Sequence, residues 1–133
     1  MRRFIAAGLG VMAAAMGITF APAAQAVPAA GCYSSGCKGL DPDQTGCSAD
    51  AYTVTQINTP RGNIQLRYSP SCRSNWARMT TPAPGTFLWI KECSSGYREE
   101  FNVPSGYTVA WTDMVDGAGP VKAGDVYAST ACL

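Results

Sequence analysis

The chain contains no histidine. That removes the commonest general base and a leading metal ligand at neutral pH. Charge is scarce as well, at 14% Asp, Glu, Lys and Arg. So small a complement gives no broad basic surface of the kind that nucleic acid or anionic lipid attracts. No C-x2-C pair occurs, and with it goes the usual spacing of a structural zinc site. Gly119-x4-Gly124 is followed by Asp125 where a phosphate loop needs lysine, and Gly117-x-Gly119 lacks a third glycine. No serine sits in a G-x-S-x-G elbow. A cysteine nucleophile would need a free thiol and usually a histidine. Catalysis is therefore not the expected role, and no cofactor is implied.

The longest apolar stretch, from Phe4 to Phe20, is short and rich in Ala and Gly, so no membrane span is expected. It reads instead as the middle of a signal peptide over residues 1–26. Arg2 and Arg3 form the charged start and Ala24-Gln25-Ala26 the cleavage site. Ala29-Ala30-Gly31-Cys32 resembles a lipid-attachment box. Position 29 is Ala rather than Leu, however, and Pro22 and Pro28 separate the box from the apolar run, which favours free secretion. Residues 27–133 then form a single secreted, disulfide-rich domain. With Arg2 and Arg3 removed, 8 basic residues face 9 acidic ones, for a net charge of −1.

What the chain does have is six cysteines: Cys32, Cys37, Cys47, Cys72, Cys93 and Cys132. In an oxidising compartment an even set of this kind pairs, and the pairing is left open by the sequence. Each disulfide is worth about 2–4 kcal/mol, mainly by restricting the unfolded chain. Cys132 stands next to the C-terminus, so its bridge would tie down an end that otherwise frays.

Residues 32–50 read as a looped, cross-linked segment. Beyond them, short alternating runs fall between turn signals. Strands are expected at 51–57, 64–68, 75–80, 87–92, 97–103, 107–115 and 126–131, with 107–115 the longest. Turns follow at 60–63 and 81–85, and a long loop at 116–125. About six or seven short strands at this spacing predict an all-β fold, a small antiparallel barrel or sandwich with a disulfide-stapled N-terminal loop. Ile64, Leu66 and Tyr68 share one face of their strand, and Gln65 and Arg67 the other. Phe87, Trp89, Tyr107 and Trp111 are expected in the core.

Arg67, Tyr68, Arg73, Trp76 and Arg78 form the one basic-aromatic cluster. Arginines beside Tyr and Trp clamp carboxylates or phosphates, or anchor interfaces. The simpler reading is structural: they stack on Trp and Tyr within a small β domain, or pair with Asp and Glu across strands. Asp41-Pro42-Asp43-Gln44-Thr45-Gly46 has the alternate carboxylates and glycine of a calcium loop, but lacks its third aspartate and bidentate glutamate. An Asx turn, with Asp41 accepting from the backbone, accounts for the same residues. No metal is assigned. Glu92, Glu99 and Glu100, with Asp113 or Asp116, would supply the carboxylate pair of a glycoside hydrolase, but read more simply as solvated strand and turn residues.

Three strings are familiar together. The first runs from Gly31-Cys32 through Cys37-Lys-Gly-Leu-Asp-Pro-Asp-Gln-Thr-Gly-Cys47-Ser-Ala-Asp50. The second is Leu66-Arg-Tyr-Ser-Pro-Ser-Cys72-Arg-Ser-Asn-Trp-Ala-Arg-Met79, and the third the closing Ala128-Ser-Thr-Ala-Cys132. The set resembles the domain of unknown function 2690 family, found mainly in Gram-positive bacteria. Cys93 lies outside these strings. The resemblance implies a secreted protein, or the outer part of an anchored one, with an extracellular binding or sensing role and no catalytic residues. The expected function is a secreted, non-catalytic binding module whose partner is another secreted protein or a cell-wall component. The alternative is an inhibitor or toxin-complex component that inserts loop 81–85 or 116–125 into a target. A secreted hydrolase built on the glutamates stands third.

Overall fold

The computed structural model describes residues 30–133, so the signal peptide read at 1–26 lies outside the described residues. Alternation sets the first strands. β1 (Tyr52–Thr59) and β2 (Gly62–Ser69) form a hairpin turned at Pro60-Arg61. Gly62 is required there: its φ is +148° and a Cβ would stand 2.9 Å from the Thr80 carbonyl oxygen. β3 (Ser74–Thr80) pairs over its full length with Asn63–Ser69 of β2. β4 (Phe87–Glu92) pairs with β5 (Arg98–Asn102) and with β8 (Val121–Gly124), while the short β6 (Val109–Trp111) and β7 (Val115–Asp116) both pair with β3.

The result is two antiparallel sheets, β1-β2-β3-β6 with β7 beside β3, and β5-β4-β8. They do not close into a barrel. Two short 3-10 helices, Ser34–Cys37 and Cys47–Asp50, precede the strands, and there is no α-helix among the described residues. No helix among them is long and apolar enough to cross a membrane.

The inward faces meet in an aliphatic core. Ile64, Leu66, Ala77 and Met79 come from the larger sheet, Leu88, Ile90, Val121 and Ala123 from the smaller, and Val115 joins them. Burying each large aliphatic side chain contributes about 1.5–3 kcal/mol.

Four expectations are corrected. There are eight strands, not six or seven. The expected 107–115 strand is split into β6 and β7. Thr112 keeps a tie to Ala77 through its own N–H and through its Oγ1, while Met114 leaves β3 and exchanges backbone hydrogen bonds with Gly39 and Leu40. The expected loop at 116–125 contains β8, whose alternation (Val121 and Ala123 buried, Lys122 half-buried) is short and hidden among glycines. The expected strand at 126–131 is reduced to one bridge, Gly124 to Ser129, because Asp125 Oδ1 turns the chain by accepting from Tyr127 N–H and Ala128 N–H.

The expected aromatic core is also corrected. β4 turns Leu88 and Ile90 inward, so Phe87 and Trp89 lie on its outer face with the Arg98 guanidinium 5.3 and 4.6 Å from their rings. Trp111 is half-buried and Tyr107 is 51% exposed.

All six cysteines are paired: Cys32–Cys37, Cys47–Cys72 and Cys93–Cys132. Their Cα separations of 5.1, 5.7 and 6.3 Å lie within the normal range for a disulfide. Cys93, outside the familiar strings, is the partner of Cys132 and holds the C-terminus beside β8, where Leu133 and Val121 exchange backbone hydrogen bonds.

Candidate binding cavity beneath the N-terminal cap

Residues 30–50 have no strand ladder of their own. They are held as a cap by cross-links and polar anchors. Cys47–Cys72 fastens the cap to the turn before β3, and Cys32–Cys37 closes a short loop beside it. Cys37, Cys47, Cys72, Trp76 and Met114 form a second buried cluster. The Sγ atoms of Cys32, Cys37, Cys47 and Cys72 all lie within 4.8 Å of one another. Metal ligation needs thiolates, so these paired sulfurs are not a ligand set.

Three aspartates complete the anchoring. Asp41 Oδ1 accepts from the Asp43 and Gln44 N–H groups at 2.8 and 3.1 Å, and its Oδ2 accepts from Trp111 Nε1 at 3.1 Å. Both oxygens are thus turned to N–H donors, and the pair from Asp43 and Gln44 forms an Asx turn. Asp50 Oδ1 accepts from Ser69 Oγ at 2.7 Å and its Oδ2 from Ser71 N–H at 2.8 Å. Burial pushes the Asp50 carboxyl up, but the hydrogen bonds from Ser69 and Ser71 outweigh it and hold the group below its ordinary value. Asp116 Oδ1 accepts from Ser34 Oγ at 2.5 Å.

The cap sits on the outer face of the larger sheet. Period-two alternation places Gln65 and Arg67 of β2, Trp76 and Arg78 of β3, and Val109 and Trp111 of β6 on that face. Register aligns Thr53, Arg67 and Trp76 in one row, and Gln65, Arg78 and Trp111 in the next. Each guanidinium is fastened to a cross-strand neighbour. Arg67 donates from Nη1 to Thr53 Oγ1 at 2.8 Å and from Nη2 to the Ala51 carbonyl at 3.1 Å. Arg78 donates from Nη1 to Gln65 Oε1 at 2.7 Å.

Where cap and sheet meet there is a cavity of about 230 Å³ lined by Asp43, Ser48, Arg67, Trp76, Arg78, Val109 and Trp111. Among the described residues the ion pairs are Lys38–Glu92 and Arg98–Glu100, and neither Arg67 nor Arg78 takes part in one. Burial, then the charge of Arg78, lowers the Arg67 pKa from its ordinary value. Arg67 Nε is buried without a hydrogen-bond partner. A buried donor without a partner costs about 1–3 kcal/mol.

A second cavity, of about 300 Å³, opens on the other side of Val109 and Trp111. Asp41, Glu100, Phe101, Tyr107, Ala110 and Asp113 complete its lining. Burial, then Glu99 and Asp41, raises the Asp113 carboxyl above its ordinary value. Opposite electrostatic character therefore meets across one tryptophan.

Of the five basic-aromatic residues picked from the sequence, Arg67, Trp76 and Arg78 line one cavity. Trp76 is only 2% exposed and serves as its floor. Tyr68 instead stacks edge-on against Tyr52, with ring centroids 5.8 Å apart. Arg73 stands exposed in the β2–β3 turn with φ +46°. The glutamates are engaged elsewhere. Glu92 is buried, accepting from Ser95 Oγ and the Asp116 N–H and pairing with Lys38 at 3.3 Å. Glu99 accepts from the Tyr97 hydroxyl, and Glu100 pairs with Arg98 at 2.7 Å. Sequence reading missed Trp111, Val109 and Ser48 as lining. The period-two relation of Val109 to Trp111 was a usable signal, but their neighbourhood with Arg78 comes from pairing between distant strands.

A family model described as a protein of unknown function (DUF2690) matches residues 35–130. That stretch includes all eight strands and both walls of the arginine cavity, and leaves Cys32 and Cys132 outside. No curated protein and no solved structure matches the chain.

Proposed function

The chain belongs to the DUF2690 family of proteins of unknown function, and from that premise we propose that it is a secreted, non-catalytic binding module. Its binding site is the cavity between the N-terminal cap and the outer face of the larger sheet. Its partner is another secreted protein or a component of the cell wall. The two sheets are read as an open sandwich that serves as a rigid support.

One observation carries the reading: Arg67 and Arg78 line a single cavity, side by side on neighbouring strands, with no ion-pair partner among the described residues. A structural arginine normally has a carboxylate partner or a stacked ring to offset its charge. Arg98 has both, whereas this pair has neither a carboxylate nor a ring in cation-π contact. The Cys47–Cys72 disulfide ties the cap that carries Asp43 and Ser48 to the turn before β3, so little order remains to be imposed on binding.

The test passes culture supernatant and cell-wall fractions over the immobilised, oxidised protein and identifies what is retained. Arg78→Ala should lower retention about tenfold or more while near-ultraviolet circular dichroism stays unchanged. Equal retention by the folded variant would remove the site, and an unfolded variant would assign Arg78 to structure.

A further inference from the structure

We infer that the arginine cavity takes a single carboxylate, carried by a peptide-like ligand whose adjoining part is apolar or cationic. This rests on the reading of the domain as a binding module and names the chemistry that the module recognises.

The donors are present and fixed. A guanidinium carries five N–H groups in a planar fork that matches a carboxylate. Arg67 makes one bond from each Nη, and Arg78 makes one in all, so most of the donors of Arg78 are uncommitted. Thr53, Ala51 and Gln65 hold the two forks across three strands, which limits the entropy lost when an anion arrives.

The surroundings select among anions. Val109, Trp76 and Trp111 give the cavity apolar walls. At about 30 Å³ per water, 230 Å³ has room for about eight water-sized units, enough for a carboxylate and a short side chain. Asp43 lines the same cavity, and Asp41, Glu100 and Asp113 stand in the cavity beyond Trp111. A second phosphate of a polyanionic chain would meet those carboxylates. An ammonium or an apolar group would not be repelled, and the rings of Trp111 and Tyr107 are suited to receive it. Net charge of −1 on the exported chain also disfavours a polyanion.

The experiment titrates the oxidised protein with a tripeptide Gly-Lys-Leu carrying a free C-terminal carboxylate, with the same peptide as its C-terminal amide, and with inorganic polyphosphate. Binding is read by calorimetry. The acid should bind about tenfold or more tightly than the amide. Arg78→Gln should weaken the acid by a similar factor and leave the amide unaffected. Asp43→Asn should tighten the acid by removing a like charge from the cavity lining. Equal binding of acid and amide, tighter binding of polyphosphate, or no binding of the acid at millimolar concentration would each overturn the inference. Such a failure is separable from that of the binding-module reading: if Arg78-dependent retention of a natural partner persists, the module stands and only the carboxylate is lost. Competition by the free acid against the supernatant and wall fractions in turn distinguishes a secreted peptide from one attached to the wall.

Discussion

Between the two sheets, Ile64, Leu66, Leu88, Ile90 and Val121 pack an aliphatic core drawn from both sheets. Beneath the cap, three half-cystines, Trp76 and Met114 pack a smaller cluster rich in sulfur. The first region is organised by alternation along strands, and its stability comes from apolar area removed from water. The second covers a segment without strands, so covalent ties replace the missing ladder. The arginine cavity lies against the second. A disulfide-held loop laid on a sheet gives a cavity one wall of regular geometry and one of freely chosen side chains.

Removing mass from each region should therefore separate stability from binding. Ile90→Ala should show the largest loss of stability, about 2–5 kcal/mol by chemical denaturation, with partner retention unchanged while the protein stays folded. Replacing both Cys47 and Cys72 by serine releases a loop spanning 25 residues and should remove about 3.5 kcal/mol together with retention. The same change at Cys32 and Cys37, separated by 5, should remove only about 2 kcal/mol and leave most retention intact. Loss of binding in the Ile90 variant, with binding kept in the Cys47 and Cys72 variant, would invert the comparison.

The smallest effect concerns a polar network at the edge of the aliphatic core, against which Tyr97 packs. The Tyr97 hydroxyl donates to Glu99, and that bond, with burial and the nearby charges of Glu99, Glu92 and Asp113, raises its pKa to about 12. Its folded value lies above the unfolded one. The stability it contributes is thus complete below about pH 10 and is lost as pH rises through about 12. Spectrophotometric titration should find one tyrosine ionising near 12, and Glu99→Gln should bring it back toward 10. A Tyr97 transition unmoved by that substitution would deny the bond its role.

Strands β1 to β5 were legible as short apolar, β-branched or aromatic runs bounded by turn residues, with clean alternation at Ile64–Tyr68. β6, β7 and β8 were not, because distant chain decides them. Met114 pairs with Gly39 and Leu40, and β8 is flanked by the C-terminal residues that Cys132 holds in place. The inward face of β4 was misassigned because both of its faces are apolar at the start: Phe87 and Trp89 compete with Leu88 and Ile90, and alternation alone cannot rank them. In the candidate site, Arg67, Trp76 and Arg78 were legible as members of one basic-aromatic cluster on two expected strands, with Arg67 on a polar face; that they share one face follows from the β2–β3 register. Tyr68 has the opposite parity to Arg67, and Arg73 belongs to the turn rather than to a strand. The disulfide pairing was beyond reach, since proximity of Cys93 to Cys132 is a property of the folded chain.

The central claim is that binding is confined to the seam between cap and sheet. Amide and indole chemical shifts of the oxidised protein, recorded before and after addition of the retained partner, test it most directly. The account predicts perturbations centred on Ser48, Arg67, Arg78, Val109 and the Trp111 indole, with the Trp89 indole and Arg98 on the far sheet unmoved. Perturbations centred on Trp89 and Arg98, with the seam residues unchanged, would contradict it.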